Sequence, residues 1–378
     1  MASHALLSPS SSHRWLVCTP APRLEATLPE PKRNPSAFDF SGEGTLCHSM
    51  SEAKLRFQLD QISADEFNIE MDLCKANSLY SDELEAAADN YVVYVRSQIG
   101  SEDQVFIEQK LDLTEYVIEA FGSADCVIIS PTSIRVLDLK AGRGVPVFAE
   151  SNSQLKLYAL GAYEKFKDQF PNIKNITWTI VQPRLNSISS ESTTIDKLVD
   201  WGKNFVAKKA KLAWVGTGQF VAGEHCGWCR AKSICRERAE YNTSLAKLEF
   251  RDPPLLSDDE LAEVLDKAQG LRSWAGDVEE FVLNRAVETG EVPTGYKLAK
   301  SVTHRKVIDV MLASEVLMSK GIPKNEIWEA PKMRSIANLE KLAGKGQIVS
   351  WLGDLIQRPE GQPKLVRDSA NTAKDDFQ

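Results

Sequence analysis

Two acidic residues and a lysine bracket a short apolar run. Asp125 follows the turn residue Gly122, and Asp138-Leu139-Lys140 closes the run that begins at Ser133. Carboxylates at neighbouring strand ends are ligands for Mg²⁺ or Mn²⁺, hard cations that prefer oxygen and need only a few protein donors. Asp138 and Lys140 have the same parity along a strand, so both point to one face. A lysine there orients an attacking water or stabilises negative charge as it develops. Gln154 and Tyr158 follow at i and i+4 and share a helix face, from which both can contact a phosphate or a nucleotide. His48 is predicted in the first turn of an upstream helix, with Glu52 one turn further on the same face. Glu108 lies mid-strand. Asp-x-Lys alone is common, and so is a lone helical histidine. The ordered set is far more selective.

A second group of residues points to a different chemistry. Cys226, Cys229 and Cys235 form C-x2-C-x5-C and need a fourth ligand, from His225 or a distant cysteine. By spacing alone, a zinc site and an iron–sulfur cluster both fit. Cys18, after the apolar turn Trp15-Leu16-Val17, reads on its own as a buried thiol. The seven cysteines are odd in number and unevenly spaced, which argues against a disulfide framework.

The elements that must position these residues follow from hydrophobic period and turn chemistry. Ser10 or Ser11 caps a short helix through Trp15 to Val17, which Pro20 and Pro22 are expected to end. Helices are predicted over Thr45–Leu59 and Ser81–Ile99. Three strands follow, over Gln104–Leu113, Ala120–Ile129 and Ser133–Leu139, the last two joined by Ser130-Pro131-Thr132 as an antiparallel hairpin. A helix over Ser153–Lys167 precedes a strand over Ile176–Gln182, which can pair in parallel with the Asp138 strand through a right-handed crossover. Another helix is expected over Thr194–Ala213. Beyond the linker-like Asp252-Pro253-Pro254, Ser257 to Glu260 is a capping box opening an amphipathic helix to about Glu288. Gly295–Arg305 is a basic stretch of strand character, and Gly361–Gln378 has the composition of a tail. The chain is read as a domain over 1–250 followed by an α-rich extension over 251–378.

At 378 residues, with 43% hydrophobic and 26% charged residues, composition is that of a globular protein. No apolar run reaches the roughly 18 residues that span a bilayer. The apolar patch at Ala5–Leu7 runs into Ser, His and Arg, unlike a signal peptide. A net charge of −8 excludes coating of nucleic acid by bulk charge, but not a local basic channel. Trp15, Arg143, Lys156 and Arg184 are candidates for stacking or phosphate contacts in such a channel.

His48, Gly122-Ser123-Ala124-Asp125, Asp138-Leu139-Lys140 and Gln154 to Tyr158 together resemble the RecB-type branch of the PD-(D/E)XK nucleases, over roughly residues 8–240. That resemblance implies an α/β restriction-endonuclease-like core, a mixed central sheet flanked by helices. It implies a metal, Mg²⁺ or Mn²⁺, bound by His48, Asp125, Asp138 and the backbone carbonyl of Leu139. Asp125, Asp138 and Lys140 would be catalytic and Gln154 and Tyr158 substrate contacts, with Glu108 a supporting residue or further metal contact. The iron–sulfur members of the branch use one cysteine in an upstream Ser-rich segment and three near the domain's end. By that pattern Cys18, Cys226, Cys229 and Cys235 would hold a [4Fe–4S] cluster, with Zn²⁺ the alternative, and Cys47, Cys74 and Cys126 would be ordinary thiols. The run from Asp138 to Tyr163, with Ala330 to Lys345, is also similar to a phage-encoded RecB-like family. The resemblance therefore implies an exonuclease on single-stranded DNA or duplex ends, working with phage recombination or replication proteins in a bacterial cytoplasm, with no membrane partner. A catalytically silent nucleic-acid-binding scaffold and a zinc-dependent interaction module are the alternatives.

Overall fold

A computed structural model of the chain describes residues 5–29, 38–244 and 257–298, with the isolated helical positions Met311, Glu315 and Met318. It divides into two compact units, Met1–Leu298 and Ala299–Gln378. The expected linker at Asp252, the basic stretch beyond Leu298, the Ala330–Lys345 segment and the tail lie outside the described residues. No helix among the described residues is long and apolar enough to cross a membrane.

Five strands form one mixed sheet in chain order: β1 (Gln104–Asp112), β2 (Phe121–Ser130), β3 (Ser133–Leu139), β4 (Asn175–Gln182) and β5 (Ser187–Thr194). β1–β2 and β2–β3 are antiparallel, β3–β4 is parallel and β4–β5 antiparallel. The expected hairpin and the crossover are therefore both present. Alternation along β2 puts Val127 and Ile129 into one apolar core and Cys126 and Ile128 into the other, so both faces are covered.

One face carries α6 (Ser153–Phe166), the crossover helix, capped by Asn152 Oδ1 accepting from Leu155 N at 3.1 Å. Against it lie α1 (Ser12–Trp15), α7 (Ile195–Trp201) and α8 (Ala207–Val215). The other face carries α3 (Phe40–Gln58), α4 (Ala64–Lys75) and α5 (Asp82–Ser97). α2 (Ala21–Ala26), α9 (Arg236–Thr243) and α10 (Asp258–Thr289) complete the unit. α10 starts at its capping box, as the sequence predicts, and joins the first unit: Asp277 lies 2.6 Å from both Lys232 and Arg238.

Several expectations need correction. Pro20 and Pro22 do not merely stop a helix. They occupy the cap and first turn of α2, where proline loses no intrahelical bond. α3 begins at Phe40, because Asp39 caps it by accepting from Gly42 N at 2.9 Å. His48 is thus well inside α3 rather than in its first turn. Ser187–Thr194 form β5, a strand the sequence reading does not include, and the helix expected over Thr194–Ala213 begins at Ile195 and is interrupted by a π turn over Gly202–Val206. α4 and its Ser63–Glu66 capping box went unrecognised in the sequence.

Candidate functional site

The β2–β3 ladder runs from Ser130↔Ser133 to Cys126↔Leu137. One step further, Asp125 and Asp138 stand where the ladder stops. There Asp125 Oδ2 accepts from Leu139 N at 2.6 Å, so the carboxylate takes over the role of a strand partner. Its other oxygen lies 3.3 Å from His48 Nδ1. Glu108, on β1, is held by Ser123 Oγ at 3.0 Å and has φ +47°, a left-handed backbone that a glutamate adopts only under constraint. His48, Glu108 and Asp125 each offer a ligand atom within 4.8 Å of the others, the one such group of three among the described residues. A small cavity beside them is lined also by Ser51, Glu52, Tyr91 and Leu139.

Asp138 is buried at the end of β3, 3% exposed. Lys140 Nζ is 2.7 Å from Asp138 Oδ2, a buried ion pair between the two residues of one strand end. Burial raises the Asp138 pKa, against the pull of Lys140. Burial likewise opposes charge on Lys140, but Asp138 outweighs it and holds the ammonium's pKa up. Burial and the neighbouring Asp125 raise Glu108. His48 loses solvation too, yet Asp125 beside it lifts its pKa to about 9. In this set of crowded carboxylates, a divalent cation would take over the charge that the His48 proton now balances, His48 ligating only as the neutral imidazole.

Gln154 Nε2 donates to Tyr158 OH at 3.1 Å, so the i, i+4 pair is joined. Tyr158 sits flat against β2 at Gly122. A Cβ there would meet Tyr158 Cε1 at 2.6 Å, which explains the glycine before Asp125. Burial pushes the Tyr158 pKa to about 12.

The chain between Lys140 and Gln154 is strapped to β4 and β5. Lys140 N donates to Val181 O at 2.9 Å. Gln182, 1% exposed, accepts from Val147 N at 2.6 Å and donates to Val145 O at 3.3 Å. Ser189 Oγ accepts from Ala149 N at 2.9 Å, Glu191 from Ser151 N at 2.7 Å, and Trp178 Nε1 donates to Ala149 O at 2.9 Å. None of these strap residues was singled out in the sequence. The polar run Ser187–Thr194 was the available signal.

Of the four candidates for a nucleic-acid channel, Trp15 is fully buried and Arg184 is locked in ion pairs. Lys156 lies 4.3 Å from the Trp201 ring centroid, and the half-exposed Arg143 pairs with Glu83 at 3.2 Å. Glu43 is buried against Arg184.

Cys18, Cys226, Cys229 and Cys235 line one small cavity with Arg14, His225, Lys232 and Arg238. The thiol of Cys229 is pushed up to about 12 by burial. Around the cavity the two distant segments are tied by side chains. Arg14 donates to Trp228 O at 2.8 Å and pairs with Glu25 at 3.1 Å, and Glu25 accepts from Arg230 N at 2.8 Å. Cys47, Cys74 and Cys126 lie apart, buried in the core under α3 to α5.

The fold and the two sites together define a mixed α/β protein with a carboxylate–histidine group at one sheet end and a four-cysteine cavity at its periphery. The chain belongs to the family described as "Protein of unknown function (DUF2800)", whose family model matches residues 4–373. A solved structure titled "Crystal structure of SSO0001" is similar at 13% identity and a TM-score of 0.24, over 58% of this chain and 95% of that one. A likeness that slight says nothing of fold or activity.

Proposed function

We propose that this protein is a metal-dependent deoxyribonuclease with a RecB-type PD-(D/E)XK core, acting as an exonuclease on single strands or duplex ends. The observation that carries the reading is the convergence of His48, Glu108 and Asp125 donor atoms at the end of the β2–β3 ladder, where Asp138 and Lys140 form a buried ion pair. That donor set is mostly oxygen, which fits Mg²⁺ or Mn²⁺. A divalent cation held by His48, Glu108, Asp125 and Asp138 would neutralise phosphate charge and activate water. Lys140, kept protonated by Asp138, is placed to stabilise charge on a phosphate oxygen. The joined Gln154–Tyr158 pair offers donors for the strand being cut.

The four cysteines fit a structural [4Fe–4S] cluster. They come from both ends of the domain to one cavity. Zinc bound by the four thiolates is the alternative.

The test is degradation of end-labelled single-stranded, blunt and overhanging DNA with Mg²⁺ or Mn²⁺, comparing wild type with Asp138→Asn. Metal-dependent cleavage lost in the variant supports a nuclease. DNA binding without cleavage at any metal concentration points to a silent scaffold. Absorbance near 400 nm distinguishes iron–sulfur from zinc.

A further inference from the structure

Arg184 was a candidate for touching substrate, but its surroundings give it another role. It follows β4 in a 3-10 turn, Pro183–Leu185, and its side chain is 3% exposed. One terminal nitrogen lies 2.9 Å from Glu43 of α3 and 3.2 Å from the carbonyl of Ala141. Its Nε lies 3.3 Å from Glu83 of α5. Glu43 is on the helix that carries His48, and Ala141 is the residue after Lys140. One planar guanidinium therefore spans the helix that brings the histidine and the strand end that brings Asp138 and Lys140. Both halves also share an apolar core in which Leu46, Cys47 and Met50 of α3 meet Leu139 and Ala141. Apolar packing tolerates small slips of a helix along its axis. A guanidinium fork with fixed donor directions does not.

We propose that Arg184 is a positioning residue, which with Glu43 sets the register of His48 against Asp125, Asp138 and Lys140. It touches neither metal nor substrate. The proposal rests on the metal-site reading above and deepens it by naming what holds the site's two halves together. Supporting partners that orient ligands cost metal affinity when removed, typically about 10- to 100-fold.

The experiment measures Mn²⁺ binding to the full chain by calorimetry and by the spin-resonance signal of free Mn²⁺, alongside kcat and KM on a labelled oligonucleotide. Four proteins are compared: wild type, Arg184→Lys, Glu43→Gln and Lys54→Gln. Lys54 is the control. It joins the same helix to α5 through Glu85 at 2.9 Å and Asp89 at 2.5 Å, but reaches nothing near Lys140. Arg184→Lys and Glu43→Gln are expected to weaken Mn²⁺ binding about tenfold or more and to lower kcat with KM unmoved, while Lys54→Gln changes neither. If Arg184→Lys fails to fold, the near-isosteric Glu43→Gln carries the test. Wild-type Mn²⁺ affinity in the folded variants overturns the proposal, as does an equal loss in Lys54→Gln. Mn²⁺ binding by wild type without DNA cleavage sinks the nuclease reading alone, and positioning is then judged on affinity. A wild type that binds no Mn²⁺ sinks both.

Discussion

The carboxylate site and the cysteine cavity are held together by different means. His48, Glu108, Asp125 and Asp138 ride on a long helix and three paired strands. Their backbones are set by ladders and by two apolar cores, and the charged groups gather at a ladder's end. The cysteines ride on short turns: Cys18 after α1, Cys226 in a 3-10 turn, Cys229 just past it and Cys235 at the cap of α9. Those turns are tied across the chain by the half-buried Arg14 and Arg230 and by Glu25. A sheet can hold like charges close without help, at a cost in strain and shifted pKa. Short turns fix side chains less firmly than a ladder does, so a bound cluster would add to the hold of the Arg14, Glu25 and Arg230 contacts. Emptying the first site should therefore spare the fold, whereas emptying the second should loosen it.

The largest contrast is expected from Asp138→Asn. Nuclease activity should fall by about 10³-fold, since a ligand and the partner of Lys140 are lost together. Circular dichroism and any 400 nm absorbance should be unchanged. If cleavage survives, Asp138 has no part in catalysis. Cys235→Ser should do the reverse. It should remove the absorbance, cost several kcal/mol because cluster binding is folding free energy, and open residues 5–29 to protease. Retained absorbance with unchanged stability would mean that the cavity holds no cluster.

The same contrast governs what was legible in the sequence. The strand-end motifs were readable because alternation sets β2 and β3, and parity then fixes where Asp125, Asp138 and Lys140 fall. β3 was placed to the residue. Glu108 was legible as a mid-strand acid and a further metal contact, but not the left-handed backbone through which it enters, which no alternation announces. The Arg14–Trp228 and Glu25–Arg230 ties join residues about two hundred positions apart, where only the folded chain brings them together. β5 escaped because Ser187–Thr194 lacks an apolar stripe. As an edge strand it is held by polar cross-strand pairs, Thr177–Ser192 and Thr179–Ser190, each at 2.8 Å.

A mid-sized effect should come from Mn²⁺ itself. Bound to the native state alone, it stabilises by about 2.7 kcal/mol at a hundredfold excess over Kd. Thermal melts with and without Mn²⁺ should show this in wild type and lose most of it in Glu108→Gln. That variant should melt slightly higher without metal, because burial and the nearby Asp125 both disfavour the Glu108 charge. An unchanged Mn²⁺ shift would remove Glu108 from the ligand set. Gly122→Ala should cost about 1–3 kcal/mol by pushing on Tyr158, and should impair cleavage more than Mn²⁺ binding.

The smallest effect lies on the cysteine side and depends on pH. Burial disfavours the charge on Asp277, but hydrogen bonds and charges from Lys232 and Arg238 outweigh it and hold its pKa below the ordinary carboxylate value. A carboxylate whose folded pKa is depressed contributes stability that is fully present above its unfolded pKa. That contribution is lost as pH falls toward the folded one. Lys232 and Arg238 both line the cysteine cavity, so Asp277 is where α10 grips the cysteine region. On acidification from about pH 6 to pH 3.5, hydrogen exchange in Asp258–Thr289 should rise before exchange in β2 and β3 does. In Asp277→Asn the helix should exchange faster already at neutral pH, with little further change on acidification. If α10 responds to acid alike in wild type and in Asp277→Asn, the ion pair does not hold it. If β2 and β3 exchange first, the carboxylate site is the weaker of the two, and the contrast between them is reversed.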